Sequence, residues 1–147
     1  EQIRNAATLG GNIANASPAG DSLPALLALD ARVVAGSAAR GARTIPFDAV
    51  YRGYRDLALE PDELILAVEV PYPPRGVRTF FRKVGTRRAQ AISKVMIGAR
   101  AYKHDDGSVD DVRIALGAVT VYAVLFQSST RLTRFATRSR VGSRFGP

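Results

Sequence analysis

Apolar positions along this chain follow two rhythms. In "DSLPALLALDARVV" (residues 21–34), Leu23, Leu26, Leu27 and Leu29 recur at helical spacing, which predicts a short helix with one buried stripe. Asp21 or Ser22 can cap it, and Pro24 falls in the first turn, where a missing N–H costs little. The helical period stops near Asp30, and a period of two takes over. "ARVVAGS" and "ARTIPF" read as two strands joined across the Ser37–Gly41 turn, a hairpin. "PFDAVYRGYR" reads as a short helix with Asp48 near its start. In "DELILAVEVPYP", Leu64, Leu66, Val68 and Val70 alternate with Ile65, Ala67 and Glu69, a strand that the prolines end.

Residues Pro71–Arg78 hold three prolines and a glycine, the best linker in the chain. After it, "TFFRKVG" is one strand, and "ISKVMIGARAYKHDDGSVDDVRIALGAVT" is two strands around a polar His104–Ser108 turn containing Asp-Gly. His104 reads as an exposed turn residue without a catalytic role. The whole predicts an antiparallel α+β architecture divided near residue 75.

One stretch fits neither rhythm. "ATLGGNIANASPAGDS", Ala7–Ser22, is made of small residues, two adjacent glycines and two asparagines. A glycine turn lets backbone N–H groups approach a partner closely and can take positive φ. Such a turn suits a phosphate, whose charge bare amides can surround. On spacing alone a Gly-Gly of this kind is more often a plain chain reversal, and Asp21 suits a helix cap at least as well.

Charge changes the picture only at one end. The net charge is +8, and Arg131, Arg134, Arg138, Arg140 and Arg144 hold five of those charges, with no acid after Asp111. Residues 1–120 are nearly balanced. Residues 121–147 read as an atypical basic tail: either a basic arm or a segment foreign to the protein, such as an out-of-frame end. As a basic arm it could bind nucleic acid phosphates, but Phe126 and Phe135 are too few for a base-stacking platform.

Composition removes further classes. No cysteine is present, so disulfides, thiolate zinc sites and cysteine-held iron–sulfur clusters are excluded within this chain. With one histidine besides, no metal site is expected. No apolar run nears the roughly 18 residues of a membrane-spanning helix, and the polar opening residues give no reason to expect a signal peptide. The cytoplasm is the expected location. The chain opens on Glu1 rather than Met, which points to a preceding segment.

"QIRNAATLGGNIANASPAGDSLPALLALDARVV", then "GYR…L.PDELI..V.VP", then "F.KVGTRRAQAISKV" stand in the order found in a known family. Over about residues 2–119 the chain resembles the FAD-binding (medium) subunit or domain of the xanthine dehydrogenase / carbon monoxide dehydrogenase family of molybdenum hydroxylases. The resemblance implies a fold: the second FAD-binding subdomain, an antiparallel sheet with helices (PCMH-like), over residues 1–74. Residues 75–120 would begin the small C-terminal α+β domain of the flavoprotein. It also implies a site. Thr8, Gly10, Gly11 and Asn12 would line the FAD pyrophosphate and ribityl region with Asn15 nearby, Asp21 would bind cofactor hydroxyls, Ile65 would meet the flavin, and Lys83 would touch the cofactor.

The implied activity is that of an oxidoreductase component. Electrons would pass from [2Fe–2S] clusters on a small subunit to FAD here, and on to NAD+ or another acceptor. The molybdopterin would sit on a large partner subunit, and no catalytic acid, base or nucleophile is required of this chain. Two departures stand out. The family's earlier glycine-containing phosphate loop (AGGTD-like), expected ahead of "QIRN", is not among these 147 residues, and the basic tail stands where the family's proline-containing continuation is expected. A fragment of this kind is expected to be inactive alone.

Overall fold

The computed structural model describes residues 5–87, 91–119 and 124–130. Two short helices, α1 (Leu9–Ala14) and α2 (Leu23–Ala28), precede strands β1 (Arg32–Ser37) and β2 (Gly41–Pro46). A 3₁₀ turn at Phe47–Ala49 leads to β3 (Tyr51–Gly53), β4 (Asp56–Leu57) and β5 (Leu64–Glu69). Beyond the proline-rich stretch come β6 (Val77–Gly85), β7 (Ser93–Lys103), β8 (Val109–Gly117) and β9 (Val124–Ser128).

Strands β2-β1-β5 form one sheet and β6-β7-β8-β9 another, with β3 and β4 paired separately, and every pairing is antiparallel. The α+β architecture and the β1–β2 hairpin follow the sequence reading. So does the β7–β8 hairpin, whose turn places Gly107 at φ +80° and closes with His104 N–H donating to the Ser108 carbonyl at 2.9 Å.

Apolar burial concentrates where the two helices meet the first sheet. Ile13, Leu23, Leu26, Leu27, Val33, Ala35, Ile45, Phe47 and Val50 are sealed from solvent, joined by Ala115 from β8. Helix α2 also lies on the second sheet at close range. A Cβ on Gly98 would sit 2.6 Å from the Pro24 carbonyl oxygen, and one on Gly117 2.6 Å from Pro24 Cγ. Only hydrogen at these two positions lets the helix start seat so near the strands. The Ala118 N–H donates to the Pro18 carbonyl at 3.0 Å, and Arg113 Nη1 lies 2.6 Å from Asp30 Oδ1, fixing the same junction.

Four local expectations are corrected. The glycine pair is not a positive-φ turn: Gly10 and Gly11 lie inside α1, which Thr8 caps by accepting the Gly11 N–H at 2.9 Å and which buried Ile13 anchors. The helix expected over residues 46–55 shrinks to the 3₁₀ turn, because Phe47 and Val50 are pulled into the core and Tyr51–Gly53 pair as a strand.

The alternation in β5 does not divide buried from exposed positions. Leu64 is 70% exposed and Leu66 60%, while Ile65 and Val68 pack on the core. A register shift opposite Val34 and Ala35 leaves Leu66 unpaired, and such a bulge puts residues three apart on one face. Finally, Val124–Ser128, within the segment expected to be a tail, pairs in register with β8, Leu116 opposite Val124, and Leu125 packs on the core.

Candidate cofactor-binding site

The residues singled out for cofactor binding lie on four separate pieces of chain. Thr8, Gly10, Gly11, Asn12 and Asn15 are on or flank α1, with Asn15 exposed at its C-terminal end. A Cβ on Gly11 would stand 2.8 Å from Thr8 Oγ1, so a side chain there would push against the capping hydroxyl. One on Gly10 would lie 3.6 Å from Ile65 Cγ2, which places β5's inward isoleucine beside the glycine helix. The Gly11 and Asn12 amides are already donated, to the Thr8 hydroxyl and carbonyl. Those of Leu9 and Gly10, in the first turn, have no partner further back in a helix.

Asp21 does not cap α2. The capping position is Ser22, and its hydroxyl is turned away, donating to Asn12 Oδ1 at 2.6 Å. The Asp21 carboxylate instead reaches the second sheet. Lys83 Nζ donates to its Oδ2 at 2.5 Å and Ser93 Oγ to its Oδ1 at 2.7 Å, contacts spanning 62 and 72 positions of sequence. Asp21 and Lys83 are thus brought together, and the Asp21–Ser22 step joins both to Asn12.

Ser93 is the member that sequence reasoning missed. It lay within a quoted block of resemblance, but a lone serine in "AISK" carries no local signal. A recess of about 440 Å³ opens beside it, lined by Thr86, Arg87, Ala91, Ile92, Ser93 and Lys94.

The charged groups around a second recess pair among themselves. A recess of about 470 Å³ is lined by Arg40, Arg43, Arg52, Glu60 and Glu63 among others. Arg43 grips the Glu63 carboxylate with two contacts of 2.7 Å, and the Glu60 N–H donates to the same carboxylate at 2.8 Å. Arg43 and that amide hold Glu63 down at about 2. Arg40 pairs with Asp62. The charges here answer one another, so the larger recess is a structural network.

Tyr51 donates to the Ile13 carbonyl at 3.0 Å, steadying α1, and burial pushes its phenol well up. His104, expected to be exposed, is half-buried, edge-on to Tyr102 at 4.6 Å and 2.8 Å from Asp110 Oδ2. The arginines Arg131–Arg144 and Phe135, the basis of the nucleic-acid reading, lie outside the described residues. No described helix is long and apolar enough to cross a membrane.

A sequence model of the FAD binding domain in molybdopterin dehydrogenase matches residues 1–73. The chain is 33% identical over 130 residues to the caffeine dehydrogenase subunit beta of Pseudomonas sp. (strain CBB1), covering 86% of this chain and 42% of that one. It is 35% identical over 117 residues to the xanthine dehydrogenase FAD-binding subunit of Escherichia coli O157:H7, covering 79% of this chain and 39% of that subunit.

Among solved structures, a chain of the carbon monoxide dehydrogenase from Oligotropha carboxidovorans superposes with a TM-score of 0.77 at 27% identity, covering 84% of this chain and 42% of that one. The chain therefore spans about two-fifths of the length of these relatives. With sequence blocks, antiparallel architecture and fold neighbours all in agreement, this chain belongs to the FAD-binding domain family of the molybdopterin dehydrogenases.

Proposed function

We propose that this chain contributes one wall of an FAD site in a molybdenum hydroxylase of the xanthine dehydrogenase type. The observation that carries the reading is the convergence at Asp21. Its carboxylate, held between Lys83 and Ser93, is one residue from the serine that ties Asn12 and hence the Gly10–Gly11 helix. The donor set suits a dinucleotide. An ionised carboxylate accepts from sugar or ribityl hydroxyls, a lysine answers a phosphate or a flavin carbonyl, and side-chain-free glycines leave the helix start approachable.

Thr8, Gly10, Gly11, Asn12 and Asn15 would border the pyrophosphate and ribityl portion, with Asp21 on hydroxyls and Ile65 and Lys83 toward the flavin. Residues 1–74 would supply the FAD-binding part and residues 75–120 the start of the following domain. When bound, FAD would supply the electron-carrying chemistry between [2Fe–2S] clusters on a small subunit and NAD+ or another acceptor. Substrate would be hydroxylated on a molybdopterin-bearing large subunit. The residues of this chain bind and orient the cofactor, and none needs to move a proton or attack a bond.

The test is flavin retention. A full-length flavoprotein subunit carrying this segment is expected to purify yellow, with an absorbance band of bound flavin. Asp21→Ala is expected to raise the FAD Kd about tenfold or more, the size of a lost hydrogen bond to a charged group. Gly11→Val, by displacing the Thr8 hydroxyl, is expected to act in the same direction. Wild-type retention in both variants overturns the assignment.

A further inference from the structure

The arginine-lined recess by Glu63 is internally neutralised. The exposed apolar side chains of β5 and β6 (Leu64, Leu66, Phe80 and Phe81) show nothing of what covers them. The Asp21 contacts carry more, because they include a buried hydroxyl with a directional role.

We propose that Ser93 is the positioning residue for Asp21, fixing the direction of the carboxylate presented to the cofactor's hydroxyl groups. The inference rests on the FAD reading above and deepens it. Asp21 has two donors, and they are unequal as anchors. Lys83 reaches it with a flexible four-carbon stem, and the pair is largely in solvent, with side chains 31% and 51% exposed. Such a pair contributes little and tolerates many geometries.

Ser93 is the opposite case. It is only 6% exposed, has a single side-chain torsion before the hydroxyl, and stands on the first residue of β7. Its backbone position is set by pairing with Gly85 across the β6–β7 hairpin, at a register shift between Val84 and Gly85. A short donor on a paired strand therefore fixes Oδ1, while Lys83 follows Oδ2. The second sheet thereby aims a carboxylate that the first part of the chain carries. Ser22, donating to Asn12, transmits that position to the glycine helix.

The experiment measures FAD dissociation by fluorescence in a full-length flavoprotein subunit carrying this segment. The variants are Ser93→Ala, the isosteric pair Ser93→Thr and Ser93→Val, Asp21→Ala, and Asp21→Ala with Ser93→Ala. Ser93→Ala is expected to weaken FAD binding about 5–10-fold, as loss of a hydrogen bond to a charged acceptor does. Ser93→Thr keeps the hydroxyl and is expected to stay within about twofold of its parent, whereas Ser93→Val loses as Ala does.

The deciding comparison is the cycle. In the Asp21→Ala background, Ser93→Ala should cost less than about twofold, because the group through which it acts is gone. A merely structural serine would cost the same in both backgrounds, and that result overturns the proposal. So does equal binding by Ser93→Thr and Ser93→Val. Failure of the unaltered protein to take up FAD overturns the cofactor reading and this inference with it; uptake indifferent to Ser93 overturns this inference alone.

Discussion

The two sheets of this molecule are held by different forces. The first sheet and both helices close around a continuous apolar core in which Phe47, Ile13, Leu23, Val33 and Val50 are almost fully buried. The second sheet gives that core only Ala115 and, at its edge, Leu125. Its β6 strand is mostly exposed, and it lies against α2 and its flanks through two close glycine approaches, the Ala118–Pro18 hydrogen bond, an Arg113–Asp30 pair and the Asp21 contacts. Burial is non-directional and roughly proportional to area, so it holds the first region without fixing fine orientation. Close backbone approach and short polar contacts are directional, so they place the second sheet accurately with modest energy. The candidate site sits on that junction, where accuracy of placement matters most.

The comparison can be broken first on the core side. Phe47→Ala removes a ring that is 2% exposed and edge-on to Tyr51 at 6.0 Å, and should cost about 3–5 kcal/mol of stability in urea titration. A loss below about 1 kcal/mol would mean that the first region does not depend on its apolar core. On the junction side, Gly98→Ala would drive a methyl toward the Pro24 carbonyl and the Ala25 nitrogen, which are backbone atoms and cannot turn aside. It is expected to cost about 1–3 kcal/mol. FAD affinity should fall as well, because α2 and the Asp21 step shift together; stability lost with affinity unchanged would separate junction from site.

A smaller effect tests the link from core to glycine helix. Tyr51→Phe deletes the hydrogen bond to the Ile13 carbonyl and should cost about 1 kcal/mol by chemical denaturation. The last is a pH slope. Glu63 is held at about 2, below its ordinary 4.5, mainly by the Arg43 hydrogen bonds. A depressed folded value contributes stability that is present above the unfolded value and is lost as pH falls toward the folded one. Urea midpoints should therefore fall between about pH 5 and pH 2, more steeply in the unaltered protein than in Arg43→Gln.

Much was legible because it is local. The Leu23–Leu29 stripe gave α2 within a residue or two, the Ser37–Gly41 turn gave the first hairpin, and Asp-Gly at 106–107 gave the second. The "PFDAVYRGYR" helix failed because core burial of Phe47 and Val50, a tertiary demand, outweighed local spacing. β5 was found but its facing was not, since a bulge depends on the partner strand's register. The reading of residues 121–147 as a tail missed β9, whose pairing partner is β8 rather than any neighbouring pattern in its own sequence.

The sequence by itself determined the family, the antiparallel α+β class and a roster of polar and small residues around Gly10–Gly11. It could do so because ordered blocks and short-range periodicity are written in neighbouring positions. Only the tertiary structure decided that the glycines are helical and that Asp21 is spoken for by Lys83 and Ser93 rather than by a helix end. Those outcomes depend on groups 62 and 72 positions apart meeting in space, and the register that brings them together is set by backbone pairing and glycine-sized clearances that no local pattern encodes.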